Sequence, residues 1–355
     1  MKKQNRLLSL ILSLFLLLFT LVPQSALTVK AEGNSEMAVH FIDVGQGNAI
    51  LVQSGGQNLL YDGGDQSHAD LIISYLQEQN VENIDYMIAS HYDEDHILGI
   101  YKILKELSCS VSLKDVVKAV WFNATKLGLN GNNHYLSAQQ AVGMAELLVK
   151  NDINWISLLK KKTKYNIDDT VWIEVLYGGE VYTPQPEGQF LSSARCDWMT
   201  SFKELEPFIN DDVPDDSPTN SQSIILVLHD GERQILLSGD ATPGKLYDAL
   251  CQYIHDGNSN HFDLIKLPHH GSYRNITKEI LNLVVCNDYI VSTNGDRFFH
   301  PDKKMFLKIC NWGRGYKDEK IMFHMNYYDE LFPLLNITDT EMSTYKFECD
   351  GKRNF

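Results

Sequence analysis

The sequence predicts an α/β fold whose chemistry sits on loops at the ends of strands. Two observations carry that reading. Short apolar runs alternate with segments whose apolar residues recur at helical spacing. Polar residues able to hold a metal stand where the apolar runs stop: Asp62, the stretch His91 to His96, Asp240, and His269 with His270. Each strand end alone reads as a turn or a helix cap, but four in one chain argue for a common site, and open α/β sheets place their ligands there. At 355 residues and 44% apolar, the chain has material for one large core or two smaller ones.

The N-terminal segment stands apart from that core. Lys2, Lys3 and Arg6 precede an apolar run from Leu7 to Val22, and Val29-Lys30-Ala31 offers a cleavage point. This is the layout of a secretory signal peptide over residues 1–31. A retained membrane anchor is the alternative, but the run is broken by Ser9, Ser13 and Thr20 and falls short of the ~20 residues a span needs. The expectation is therefore an exported protein. Without Lys2, Lys3, Arg6 and Lys30 the net charge moves from −15 to −19, against capture of nucleic acid over the whole surface. Six scattered cysteines with no C-x-x-C argue against a zinc ribbon and leave disulfide pairing open.

From residue 37 onward the elements follow in order. Ala38–Val44, Ala49–Gln53 and Asn58–Tyr61 read as strands, the last two joined by a Ser54-Gly55-Gly56 turn. Gly45-Gln46-Gly47 invites a dinucleotide reading, which fails because Ile50 occupies the third glycine position and a strand follows. Residues 68–79 read as a helix and Ile84–Ser90 as a buried strand. Four metal-capable side chains then fall within six residues: His91, Asp93, Asp95 and His96. Imidazole and carboxylate together suit zinc, manganese or iron, and a calcium loop is excluded because its glycine and distal glutamate are missing.

A helix follows this run, then a strand at 116–123 and a serine-capped amphipathic helix at 137–150. Lys160, Lys161, Lys162 and Lys164 read as a solvated strand edge. Val171–Tyr177 is a strand, and residues 184–220, rich in proline and aspartate, read as a long surface loop or lid. Ser223–Leu228 and Gln234–Leu237 form a hairpin ending at Asp240. A helix from Pro243 to Tyr253 leads to the strand Phe262–Leu267 and Pro268-His269-His270-Gly271. A helix over 276–283, a strand over 289–293, a helix over 303–312 and two or three further strands complete the chain.

These pieces resemble the metallo-β-lactamase superfamily, whose signature is His-x-His-x-Asp-His. Within it they are similar to the hydrolase domain of ComEC-type DNA-uptake proteins. The resemblance rests on Phe41-Ile42-Asp43-Val44-Gly45-Gln46-Gly47, Asp62-Gly63-Gly64, Ser90 to His96, Asn220-Ser221-Gln222-Ser223, Leu237-Ser238-Gly239-Asp240, Pro268 to Ser272, and His300-Pro301. It runs from about residue 37 to the end, broken by a loop insertion at about 187–219. It implies an αββα sandwich, two mixed sheets packed face to face with helices outside and metals at one rim.

Carried over residue by residue, the resemblance implies two divalent metal ions, zinc or manganese. His91 and Asp93 would hold the first; Asp95, His96 and His270 the second; Asp240 would bridge them, and Asp62 would orient the ligands. Asp95, His269 and His300 would take part in the chemistry, His269 or His300 as proton donor. Asp93 stands where most members have histidine, Asn48 where an aspartate is usual, and Phe299 where a glycine is expected before His300-Pro301. The implied activity is hydrolysis of phosphodiester bonds, with extracellular DNA as partner, by a hydroxide that two metals hold. Other exported substrates (a phosphocholine ester, a lactone, a cell-wall component) and a non-catalytic metal-bound binding module are the alternatives.

Overall fold

The structure, a computed structural model, describes residues 26–30, 37–123, 136–180, 196–313, 315 and 319–351. The apolar run at 7–22 and residues 187–195 of the expected insertion lie outside them.

Two mixed sheets form in strict chain order. The first joins β1 (Ala26–Lys30), β2 (Ala38–Ile42), β3 (Ile50–Ser54), β4 (Gln57–Tyr61), β5 (Ile84–Ile88), β6 (Val117–Trp121) and β7 (Trp155–Ile156). The second joins β8 (Lys164–Asn166), β9 (Val171–Tyr177), β10 (Ile225–Asp230), β11 (Arg233–Leu237), β12 (Leu264–Lys266), β13 (Asp288–Val291), β14 (Ile321–Met325) and β15 (Phe347–Asp350). In each sheet the first four strands are antiparallel and the rest parallel, the change coming at β4/β5 and at β11/β12. Hairpin turns such as Ser54-Gly55-Gly56 serve the antiparallel half, and helical crossovers serve the parallel half, as the two pairings require.

Three apolar clusters make the layers. Val39, Phe41, Val52, Tyr61 and Trp121 of the first sheet meet Ile173, Leu226, Leu237 and Ile290 of the second between the sheets. Leu51, Leu60 and Met87 face helices α1 (Ala69–Glu78), α2 (Glu94–Leu107) and α3 (Leu136–Lys150). Val227, Leu236 and Ile265 face α4 (Pro243–His255), α5 (Lys278–Leu283) and α6 (Lys303–Trp312). Alternate residues of one strand thus enter different layers, as a period of two demands. This is the expected αββα sandwich.

Two segments differ from their sequence-based descriptions. Ala26–Lys30, assigned by its composition to the removable leader, pairs antiparallel with β2, Ala26 opposite Ile42 and Lys30 opposite Ala38. Its Ala-Leu-Thr-Val-Lys alternation suits an edge strand, and Ala26 and Thr28 are buried. Residues 196–220, the described part of the expected surface loop at 184–220, are tied down. Ser201 and Glu204 form a capping box on the short helix Phe202–Leu205, and Phe202 is buried. Asp212 pairs with Lys304 and Lys308 of α6, and Asp215 N–H donates to Arg274 O (3.1 Å). No helix among the described residues is long and apolar enough to cross a membrane.

Candidate metal centre

The strand ends singled out by sequence belong to the strands at which each sheet changes from antiparallel to parallel pairing. Asp62 follows β4, His91 follows β5, Asp240 follows β11 and His270 follows β12. Close backbone approaches set their spacing. A Cβ at Gly99 would lie 1.7 Å from Gly63 O, so only glycine lets α2 reach the Asp62 loop, where Gly63 N–H donates to His96 O (2.9 Å).

Asp62 is wholly buried and organises two imidazoles. Its Oδ1 accepts from Ser90 N–H (2.7 Å) and its Oδ2 from Ser90 Oγ (2.8 Å), with His96 Nδ1 also 2.8 Å from Oδ2. Ser90 Oγ in turn lies 3.0 Å from His91 Nδ1, and Ser223 Oγ lies 3.3 Å from the same nitrogen. His270 Nδ1 donates to Ser292 O (3.0 Å). With every Nδ1 engaged, each Nε2 is left facing inward. The Nε2 atoms of His91, His96 and His270 and Oδ1 of Asp240 are all buried without a hydrogen-bond partner. Orphaned buried polar atoms are costly, and four in one neighbourhood match cation sites whose ligands are oriented from behind.

Two sets of donor atoms fall within 4.8 Å of one another: His91, His96 and Asp240, and Asp95, His96 and His270. Asp240 Oδ2 is 3.3 Å from His96 Nε2 and 3.5 Å from His270 Nε2, and Asp95 Oδ2 is 3.2 Å from His270 Nε2. The second set and the central place of Asp240 match the ligand assignment carried over from the resemblance. The first is arranged differently. Asp93 caps the start of α2 and its side chain is 38% exposed, with Oδ2 3.6 Å from His91 Nε2 and outside both sets. The donors fit divalent cations: borderline imidazole nitrogens with hard carboxylates.

Electrostatics points the same way. Burial opposes ionisation of Asp240 and Asp95, yet His96 and His270, with His269 beside Asp240, hold both carboxyls well below their usual range. Burial opposes a charged His96 too, but Asp240, Asp62 and Asp95 hold it well above 6.5. Carboxylates gathered this closely demand positive charge, which protons supply when no cation does.

His269 is set beside the ligands. Its Nε2 is 3.8 Å from Asp240 Oδ2, and its Nδ1 lies 3.0 Å from Asn275 Oδ1 and 3.4 Å from Asp215 Oδ2. Burial pushes this imidazole down, but Asp240 and Asp215 outweigh it and raise it to about 9. The His300 ring is 5.2 Å from the His269 ring, with Asp302 Oδ2 3.2 Å from its Nδ1. Burial, only partly offset by Asp302, lowers the His300 pKa.

Sequence assigns no role to four residues at this centre: Ser90 and Ser223 behind His91, Asp215 behind His269, and Lys266. Lys266 is 1% exposed, its Nζ has no hydrogen-bond partner, and burial pushes it down to about 8 against the pull of Asp240, Asp62 and Asp95. A lysine in the apolar run Leu264-Ile265-Lys266-Leu267, three residues before His269, was the available signal. Backbone strain marks the centre as well. Asp62 (φ 61°), His269 (48°), His270 (54°), Phe298 (58°) and Phe299 (59°) all adopt the left-handed region that side chains avoid.

Comparison with known proteins gives a consistent picture. A sequence model described as the metallo-beta-lactamase superfamily matches residues 42–295. The competence protein ComA of Neisseria gonorrhoeae is 34% identical over 77 residues, 21% of this chain and 11% of that protein. ComE operon protein 3 of Bacillus subtilis is 20% identical over 293 residues, 77% of this chain and 30% of that protein. The matched regions thus span less than a third of these curated relatives. A solved structure assigned as a metal-dependent hydrolase from Parabacteroides distasonis is 10% identical with a TM-score of 0.42, covering 86% of this chain and 99% of that one.

Proposed function

The chain belongs to the metallo-β-lactamase superfamily, and from that premise we propose that it is an exported hydrolase that cleaves phosphodiester bonds in nucleic acid. The observation that carries the reading is two donor sets sharing His96, His91 with His96 and Asp240 and Asp95 with His96 and His270, whose inward Nε2 atoms and Asp240 Oδ1 are orphaned, with a carboxylate-backed histidine beside them. His91, His96, His270, Asp95 and Asp240 would hold two divalent ions, zinc or manganese. Such ions acidify a water and polarise the phosphoryl oxygens.

The protein's own groups supply the rest. Asp62 fixes His96 directly and His91 through Ser90, so the ligands are oriented before any ion binds. Asp215 and Asn275 hold His269 by Nδ1, leaving Nε2 to carry a proton toward a leaving oxygen. The resemblance to ComEC-type DNA-uptake proteins, with a competence protein among the relatives, supports nucleic acid as the substrate. The acidity of the chain favours a second reading, a small exported ester or lactone, because a net charge of −15 repels a polyanion.

Metal analysis joined to a hydrolysis screen tests both. We expect about two divalent ions per chain and cleavage of oligonucleotides that chelation abolishes and zinc or manganese restores. Faster turnover of a phosphocholine ester or a lactone by the fully loaded protein would replace the first reading with the second.

A further inference from the structure

Beside the metal centre stand two phenylalanines that nothing in the fold accounts for. Phe298 is 61% and Phe299 45% exposed, so neither contributes a buried side chain to the core. Both hold left-handed backbone, which bulky side chains rarely adopt. In the superfamily resemblance, glycine, which pays nothing for that backbone, is the residue expected at Phe299. Strain without burial is the pattern of a side chain kept for an external contact.

Their position is fixed. Arg297 N–H donates to Gln46 Oε1 (3.1 Å), anchoring the turn to the loop after β2. On the other side the Trp198 ring meets Phe299 edge to face at 6.0 Å, while Trp198 Nε1 donates to Pro301 O (2.9 Å). The Phe298 ring lies 6.3 Å from the His300 ring, which is 5.2 Å from that of His269. An aromatic path therefore leads from the exposed rim to the histidine beside Asp240. The Arg297 side chain is half-exposed, with its Nη2 3.8 Å from Asp65 Oδ2.

We propose that Phe298 and Phe299 form a stacking platform for an unpaired nucleobase next to the scissile phosphate. This rests on the phosphodiester reading and deepens it by naming an unpaired strand as the substrate. Three considerations favour that occupant. An acidic chain gains little from phosphate contacts, so affinity has to come from elsewhere. Aromatic stacking on bases is independent of net charge and tolerant of sequence. A base in a duplex is already stacked and offers no free face, whereas an unpaired base does.

The test compares two hydrolysis-resistant strands with identical phosphorothioate linkages, one of thymidines and one of abasic residues, and then their cleavable counterparts. The metal-loaded wild type should bind the thymidine strand at least tenfold more tightly. Phe298→Ala with Phe299→Ala should shrink that ratio at least fivefold, with the loss in KM rather than kcat and little response to salt. Phe299→Gly separates this role from a structural one: relieving the left-handed strain should raise Tm while KM for the thymidine strand also rises. Equal binding of the two strands by the wild type, or an unaltered ratio in the double variant, overturns the platform. Failure to cut either cleavable strand removes the phosphodiester reading instead, a separate outcome from the binding ratio.

Discussion

Asp215 Oδ2 lies 3.4 Å from His269 Nδ1, joining a buried carboxylate in the 196–220 segment to the histidine that faces Asp240. Asn220 Nδ2 (2.8 Å) and Asn275 Nδ2 (2.9 Å) donate to the same oxygen, so the carboxylate is held in place from two further sides. A segment that composition marks as loop thereby sets the orientation of a catalytic candidate.

Asp240, and with it this pairing, gives the metal-free protein a pH signature. His269 is raised from 6.5 to about 9, so its stabilisation is full below pH 6.5 and is lost as pH rises through 9. The loss should be about 3 kcal/mol. Thermal melts of chelated protein from pH 6 to 10 should show a decline across that window, and Asp215→Asn should flatten it. An equal decline in the variant would assign the effect to another group.

The adjacent histidines should separate by what their loss removes. His270→Ala deletes an inward Nε2 and should cut metal affinity at least tenfold together with kcat. His269→Ala should leave metal content nearly unchanged and lower kcat by ~10²-fold, less for nitrophenyl phosphodiesters, whose leaving group needs little protonation. Metal stoichiometry and rates on both substrate types decide it; metal lost from His269→Ala but kept by His270→Ala reverses the roles.

Asp62→Ala touches no proposed ion yet should weaken binding of metal ~10- to 100-fold, because His96 and Ser90 lose their acceptor. It should also cost about 2–4 kcal/mol, since buried donors are left unpaired. Calorimetric metal titration and chemical denaturation check the two effects.

Export predicts a mature N-terminus near Glu32. Intact mass and N-terminal sequencing of protein from the culture medium test this. Recovery of Ala26–Lys30 on the mature chain would place cleavage upstream of β1 and keep its pairing with β2.

The strand ends were legible because their ligands are local. His91, Asp95 and His96 fall in one turn of sequence, and Asp240 and His270 each close an apolar run. The alternation of runs likewise announced an α/β fold, and the resemblance to the superfamily supplied the sandwich. Asp215 was not legible: Asp211, Asp212, Asp215 and Asp216 look alike in sequence, and only tertiary contacts bury the third of them. The role of Ser223 was hidden for the same reason, since a serine reports nothing of which distant imidazole it will meet. Asp93 was legible from its spacing, and its side chain is partly exposed with Oδ2 3.6 Å from His91 Nε2, at the rim of the centre.

Each sheet is built from one continuous half of the chain, residues 26–156 and 164–350, with few strands left to exchange between them. His91 and His96 come from the first half, Asp240 and His270 from the second. An ion held by both is a rivet through the seam. Extracting it should first let one half slip against the other, seen as faster amide exchange at Ser90, Ser223 and Gly239 while β5 and β12 stay protected. The chain's capacity for metal and the register of its two halves are then one property, so a mutation anywhere along the seam should be felt at the ions.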